Sequence, residues 1–299
     1  MSLNLWGWKE SGKLHLGLSA NAALEVVDLG VEAGIRSAEE LLHAMRARGG
    51  SEWLWDLLKR PRRVDVSEKK LVLPVPISEV WGAGVTYERS RDARRNESKG
   101  FDAMYLKVYD AQRPELFFKQ TGRQLAGTGE TMGLRPDACW HVPEPELTLV
   151  LAPDGTVFGY TIGNDLTARD LEAENPLYLP QAKIFYKSAS LGPNIALHGS
   201  VNPAELTIRL SICRRSQVIF QGSVPTRNIR RPLEVLVAYL GRAWPLSPWT
   251  ALMTGTGIVP PDDVALADGD EVEVTIDGIG TLSNRVRTIS EDWLQADLI

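Results

Sequence analysis

Alternation of apolar and polar positions dominates this chain, and helical spacing is confined to a few short stretches. Leu14, Leu16 and Leu18 alternate with other residues, and Leu24, Val26 and Val27 follow, so two short strands are expected there. Ser37-Ala38-Glu39-Glu40 sets a serine three residues before a glutamate, the spacing that caps a helix start. It predicts a helix through Leu41, Leu42 and Met45 that stops at Gly49-Gly50. Trp53 to Leu58 reads as a second short helix, ended by Pro61, with the basic run Lys59 to Arg63 as solvated surface. Pro74-Val75-Pro76 reads as a linker. Residues 1–73 are therefore expected to form a small N-terminal α+β domain, and residues 74–299 a second, larger domain.

The second part is richer in strand signals. Trp81 to Tyr87 reads as a strand entering a loop, and its glycines lack the GxGxxG spacing of a dinucleotide site. Ser90 to Gly100 is polar, a helix or a lid. Leu116 to Phe118 reads as a buried strand with Glu115 and Lys119 at its ends. Leu147 to Leu151, the turn Pro153-Asp154-Gly155 and Val157 to Ile162 make a hairpin. Leu206 to Cys213 with Gln217 to Phe220 makes another, and Val272, Val274 and Ile276 alternate. Only Leu233, Val235, Leu236 and Leu240 recur at clear helical spacing in this part. Many short strands and few long helices predict a mainly β (α+β) fold.

Composition narrows the function classes. With 299 residues, 43% hydrophobic and 24% charged, the chain is of ordinary globular make-up. A net charge of −5 argues against a broad basic surface for nucleic acid or anionic lipid. No apolar run approaches the ~20 residues of a membrane span. The first residues lack the basic-then-apolar pattern of a signal peptide. Two cysteines make no disulfide framework, and a cytoplasmic protein with reduced thiols is expected.

The candidate chemistry centres on Pro143-Glu144-Pro145-Glu146-Leu147. Residues two apart on extended backbone share a face, so Glu144 and Glu146 point the same way and repel each other. A divalent cation removes that repulsion, and hard carboxylate oxygens suit Mg²⁺, Mn²⁺ or Ca²⁺. The alternative is two glutamates on a solvated strand face. Asp165, just past the return strand, is placed to reach the same face. Asp170, Glu172 and Glu174 read as caps and surface charges. His141 is read as structural, or as a support behind the carboxylates, because they already suit a hard ion.

Taken in order, several stretches resemble the fumarylacetoacetate hydrolase family over about residues 75–299. They are Glu144-x-Glu146, Asn164-Asp165-x-Thr167-Ala168-Arg169-Asp170, Lys183, Leu191-Gly192-Pro193, Thr254-Gly255-Thr256, Leu266 with Gly269-Asp270, and Gly278-Ile279-Gly280 with Leu282 and Asn284. The resemblance implies a β-roll catalytic fold and a homo-oligomer, a dimer or tetramer. It implies Mg²⁺ (or Mn²⁺ or Ca²⁺) held by Glu144, Glu146 and Asp165, with Lys183 beside a small-molecule 2-keto acid and Thr256 on its carboxylate. Hydrolases of the family carry a G-x-N-Y-x-x-H-x-x-E loop whose His and Glu activate water. Here the stretch reads Gly84-Val85-Thr86-Tyr87-Glu88-Arg89-Ser90, with serine at the histidine position. Serine is no base near neutral pH without a partner of its own.

Further stretches resemble the branch of the family that dehydrates 2-keto-3-deoxy sugar acids. They are Gly84 to Arg91, Lys107-Val108-Tyr109-Asp110-Ala111, Arg113-Pro114-Glu115 and Ala168 to Gln181. That similarity implies Glu115 and Lys183 as proton-transfer groups. Ser90, Arg91 and Tyr87 are then candidates to hold the substrate hydroxyls and carboxylate. The implied reaction converts 2-keto-3-deoxy-D-arabinonate to 2,5-dioxopentanoate and water through a cation-stabilised enolate. The rivals are an acylpyruvate C–C hydrolase, an oxaloacetate decarboxylase, and a keto-acid binding protein without turnover.

Overall fold

The computed structural model describes residues 1–88, 107–243 and 245–296. Strands dominate. The N-terminal part holds β1 (Leu3–Glu10), β2 (Lys13–Ala20), β3 (Glu25–Asp28), β4 (Val64–Asp65) and β5 (Lys70–Val72), with helices α1 (Leu29–Ala33), α2 (Ala38–Ala47) and α3 (Leu54–Leu57). Then follow β6 (Glu79–Gly84), β7 (Glu115–Thr121), β8 (Thr131–Leu134), β9 (His141–Val142), β10 (Pro145–Leu151), β11 (Val157–Asp165) and β12 (Thr167–Ala168). Two short helices, α4 (Arg169–Glu174) and α5 (Leu179–Lys183), lead into β13 (Ala189–Leu197). The chain continues through β14 (Thr207–Arg214), β15 (Gln217–Pro225), α6 (Leu233–Leu240), β16 (Thr250–Met253), β17 (Glu271–Ile276), β18 (Gly280–Thr288) and α7 (Glu291–Ala296).

One large sheet runs β4-β3-β2-β1-β13-β11-β10-β16-β6-β7, with β5 also on β1. A second, five-stranded sheet runs β15-β14-β17-β18-β8. The main core fills the space between them. Leu147, Leu149, Leu151 and Ile162 meet Ile208, Leu210, Val272 and Val274, joined by Leu236 and Leu240 of α6. The opposite face of the large sheet, through Val150, Phe158, Ile195 and Leu197, packs on Leu3, Leu5, Leu29, Leu41 and Leu54. Both faces are thus covered, which is why β10 reads as the unbroken run Leu147-Thr148-Leu149-Val150-Leu151 and is buried throughout.

Several local expectations hold. Ser37 caps α2, its hydroxyl accepting from the Glu40 amide at 3.2 Å. β10 and β11 form the expected hairpin, with Thr148 opposite Thr161. Three features depart from the sequence reading. β1 carries no clean alternation and was not expected; it is held by β2 on one side and β13 on the other. Leu116 to Phe118 are half-buried rather than core. The first 73 residues share a sheet and a core with the rest, through the Leu5–Ile195 pairing and the cluster around Phe158. No described helix is long and apolar enough to cross a membrane.

Strand directions decide where chemistry can gather. β16 and β6 are parallel, so Thr254 to Thr256 and Gly84 to Tyr87 leave the sheet at one end. β10 is antiparallel to β16, which brings its beginning, with Glu144 and Glu146, to that end. β11 runs back against β10 and finishes there at Asp165. β7 is antiparallel to β6 and starts there, Glu115 opposite Gly84.

Candidate active site

Backbone pairing sets the two acidic strands before any side chain is considered. The Asp165 amide donates to the Glu144 carbonyl at 2.9 Å, and the Glu144 amide donates to the Asn164 side-chain oxygen at 3.2 Å. Glu144, Glu146 and Asp165 therefore converge, one carboxylate oxygen from each lying within 4.8 Å of the others. Their exposures are 3%, 2% and 1%, which rules out the solvated strand face. With Lys183, Phe117, Gly84 and Thr256 they line a small cleft. A larger, mostly apolar cleft lies elsewhere, around Tyr160, His198 and Leu233, but it gathers no such carboxylates. The small cleft is the one that gathers the candidate metal ligands.

Three buried cations face these acids. Lys183, the last residue of α5, donates to Glu144 Oε2 at 2.6 Å, Asp165 Oδ2 at 3.0 Å and Thr167 Oγ1 at 2.8 Å. Its ammonium also stands 5.4 Å from the Phe117 ring centre. Arg169 donates to Glu144 Oε1 at 2.6 Å and lies 3.7 Å from Glu172. Lys119 reaches in from β7 and pairs with Asp165 Oδ1 at 2.6 Å. Glu146 keeps a different partner, the Gly255 amide at 2.5 Å.

The electrostatics follow. Burial pushes the Glu146 carboxyl well above the usual carboxylate range, and the charges of Asp165 and Glu144 push the same way; Lys183 and the Gly255 amide offset only part of this. Burial likewise lowers the Lys119 ammonium, with Asp165 pulling it back up and Lys183 adding to the fall. A divalent cation would relieve the repulsion at Glu146, and three buried carboxylates form a hard-oxygen donor set. Glu144, Glu146 and Asp165 can bind such an ion.

The other expected residues divide. Glu115 stands at the rim, half-buried, its carboxylate packed against Gly84 so closely that a Cβ there would lie 2.2 Å from Oε2. Thr256 lines the cleft, its Oγ1 3.3 Å from the Ile258 amide. Tyr87 is 1% exposed, its ring against Gly257; burial raises its hydroxyl pKa, and Glu146 adds to the rise. Ser90 and Arg91 lie outside the described residues. His141 is buried away from the triad, and its Nε2 accepts the Arg135 amide at 2.9 Å, a structural use.

Two residues escaped the sequence reading, and two assignments need correcting. Lys119 stands two residues past Phe117 at a register shift of β7 against β6, where simple alternation breaks, and in the sequence it was indistinct from a strand-end charge. Arg169 stood inside the Asn164 to Asp170 stretch without a role. Glu172 is no surface charge: it is 2% exposed beside Arg169, because α4 folds back over the Glu144 loop. Asp170 is no cap either: it lies within α4, whose N-cap Ala168 makes no side-chain bond, and it accepts the Cys139 amide at 2.7 Å.

A sequence model described as fumarylacetoacetate (FAA) hydrolase C-terminal matches residues 80–287. A 2-dehydro-3-deoxy-D-arabinonate dehydratase of Saccharolobus solfataricus is 45% identical over 226 residues, 74% of this chain and 76% of that protein. A probable 2-keto-3-deoxyxylonate dehydratase of Haloferax volcanii is 44% identical over 223 residues, again 74% of this chain and 76% of the relative. A solved 2-keto-3-deoxy-D-arabinonate dehydratase complexed with magnesium and 2,5-dioxopentanoate superposes with a TM-score of 0.78 at 35% identity, covering 96% of this chain and all of the other. The carboxylate triad stands inside the matched segment, on a fold shared along nearly the whole length; the chain belongs to the fumarylacetoacetate hydrolase family.

Proposed function

We propose that this chain is a metal-dependent hydro-lyase that converts 2-keto-3-deoxy-D-arabinonate, or a close 2-keto-3-deoxy sugar acid, to 2,5-dioxopentanoate and water. The observation that carries this reading is the Lys183 ammonium on Glu144 and Asp165 in a buried cleft completed by Glu146. The relatives' names supply the substrate class.

Glu144, Glu146 and Asp165 would hold the ion, with Mg²⁺ favoured by the donor set. A bound divalent cation supplies Lewis-acid stabilisation of the charge that grows on the keto oxygen as C3 loses a proton. Lys183, inside the cleft, and Glu115, at its rim, carry the proton transfers: one proton leaves C3, the C4 hydroxyl departs as water, and a C5 proton shifts to give the aldehyde. Arg169 fixes Glu144 through Oε1 and Lys119 fixes Asp165 through Oδ1, while Lys183 holds the second oxygen of each. Thr256 and Tyr87 orient the keto acid, and Ser90 and Arg91 hold its hydroxyls. Because Tyr87 and Thr256 are buried, they also exclude water from the reacting carbons.

We infer a homo-oligomer in the cytoplasm; among the described residues β15 ends its sheet with Val218 54% exposed, which supports the oligomer. Residues 1–73 form a small α+β unit fused to the catalytic part through β1.

The test is a product screen with purified protein. With Mg²⁺, 2-keto-3-deoxy-D-arabinonate should yield 2,5-dioxopentanoate, and EDTA should abolish turnover. Turnover of acylpyruvate or oxaloacetate with the sugar acid untouched would overturn the reading.

A further inference from the structure

Lys119, like Arg169 and Glu172, is a buried charged residue at the site for which neither the sequence motifs nor the proposed chemistry has a catalytic use. It is fully buried on β7, yet its ammonium is completely occupied. Nζ pairs with Asp165 Oδ1 at 2.6 Å and donates to the Leu166 carbonyl at 2.8 Å and the Lys183 carbonyl at 2.5 Å. Two carbonyls take its hydrogen bonds and a carboxylate oxygen stands against it as an ion pair, so every polar neighbour is an acceptor and the geometry suits a cation. It is anchored to the end of β11 and to the end of α5 at once, so it cannot swing toward a substrate.

Its charge matters because the acids and bases around it are buried. Among the described residues, the buried acids here are Glu144, Glu146, Asp165 and Glu172, and the buried bases are Lys119, Lys183 and Arg169. With every one of these groups ionised, as a bound cation requires of its three carboxylate ligands, the side chains sum to one negative charge. A divalent ion turns that into one positive charge, and a single keto-acid carboxylate then brings the interior to neutrality. Glu115 lies half-exposed at the rim, where solvent screens it. Without Lys119 the buried, metal-loaded cluster of described residues would already be neutral, and the anion would gain no net attraction from it to offset its desolvation.

We propose that Lys119 is a positioning residue that supplies the unit of positive charge by which the metal-loaded site accepts an anionic 2-keto acid, while it fixes Asp165 and the Lys183 backbone. This rests on the metal-dependent reading above. The prediction has a sign that a merely structural lysine would not give. A cation in contact with a ligand carboxylate opposes metal binding and favours anion binding, so its removal should separate the two affinities.

The experiment compares Lys119→Met and Lys119→Gln with the parent by calorimetry, titrating Mg²⁺ first and then pyruvate onto the Mg²⁺-loaded protein. Expected are Mg²⁺ affinity equal to or tighter than the parent's and pyruvate affinity weaker by about tenfold or more. KM for the sugar acid should rise in parallel. Pyruvate affinity within twofold of the parent, or Mg²⁺ and pyruvate weakened together, would overturn the proposal. So would the unfolding of both variants, since Lys119 would then serve the fold alone. Binding is read without turnover: a parent that binds Mg²⁺ and pyruvate but leaves the sugar acid intact sinks the proposed reaction and leaves this comparison standing. A parent that binds no Mg²⁺ sinks both.

Discussion

Individual side chains divide this site into groups that hold charge and groups that hold shape. Glu146 has the least comfortable environment of the triad, buried beside two other acids with one amide donor. A raised carboxyl pKa means that its ionised form costs stability above the unfolded value. Glu146→Gln should therefore match or exceed the parent's melting temperature in EDTA, yet lose the Mg²⁺-induced rise and on the order of a thousandfold in kcat. Differential scanning fluorimetry with and without Mg²⁺ reads the first part, and steady-state kinetics the second. His141 gives a pH test. Burial lowers its pKa, and its Nε2 must stay unprotonated to accept the Arg135 amide. A depressed histidine contributes stability that is complete above the unfolded value of about 6.5 and is lost as pH falls from there toward the folded value. The parent should lose stability over that window, and His141→Asn should lose less of it, as measured by urea unfolding at pH 7.5 and at successively lower pH.

At the scale of elements, the site depends on two strand ends that approach too closely for side chains. Gly84 closes β6, where an added Cβ would meet only the far end of Glu115, 2.2 Å from Oε2. Gly84→Ala should leave the fold intact, push Glu115 aside and lower kcat by about ten- to a hundredfold with little change in Mg²⁺ binding. Gly255, just past β16, is a harder case. Its φ is +91°, and a Cβ would stand 2.0 Å from Thr86 Oγ1 and 2.9 Å from the Ala83 carbonyl. Gly255→Ala should cost ~1–3 kcal/mol of stability and also displace the amide that binds Glu146, so metal binding fails with it. Calorimetry on both variants distinguishes them. The hairpin β10–β11 was legible because its apolar runs flank a Pro-Asp-Gly turn. β1 was not, because Trp6 and Trp8 bury one face while Leu3 and Leu5 bury the other, and two covered faces erase alternation.

For the molecule as a whole, the N-terminal residues are a cover for the catalytic sheet. Leu3, Leu5 and Leu41 shield Phe158, Ile195 and Leu197, and β1 takes up the edge of β13. A chain truncated to residues 74–299 would expose that apolar face and a bare strand edge. It should aggregate or fail to fold, with size-exclusion chromatography and near-UV circular dichroism as the readout; a soluble, Mg²⁺-binding fragment would show the catalytic part to be self-sufficient.

The sequence by itself determined the mainly β character, the hairpins and helix caps, and the identity of the acids, because each is written in local spacing or in motifs that survive in order along the chain. It could not say that Glu144 and Glu146 lie in a dry interior rather than on a wet strand face, since alternation is the same in both. Nor could it rank Lys119, Arg169 and Glu172 above ordinary surface charges. Those outcomes belong to the tertiary structure: antiparallel and parallel pairing gathers strand ends that are distant in sequence, and only their convergence decides which charges lose their water and must find partners.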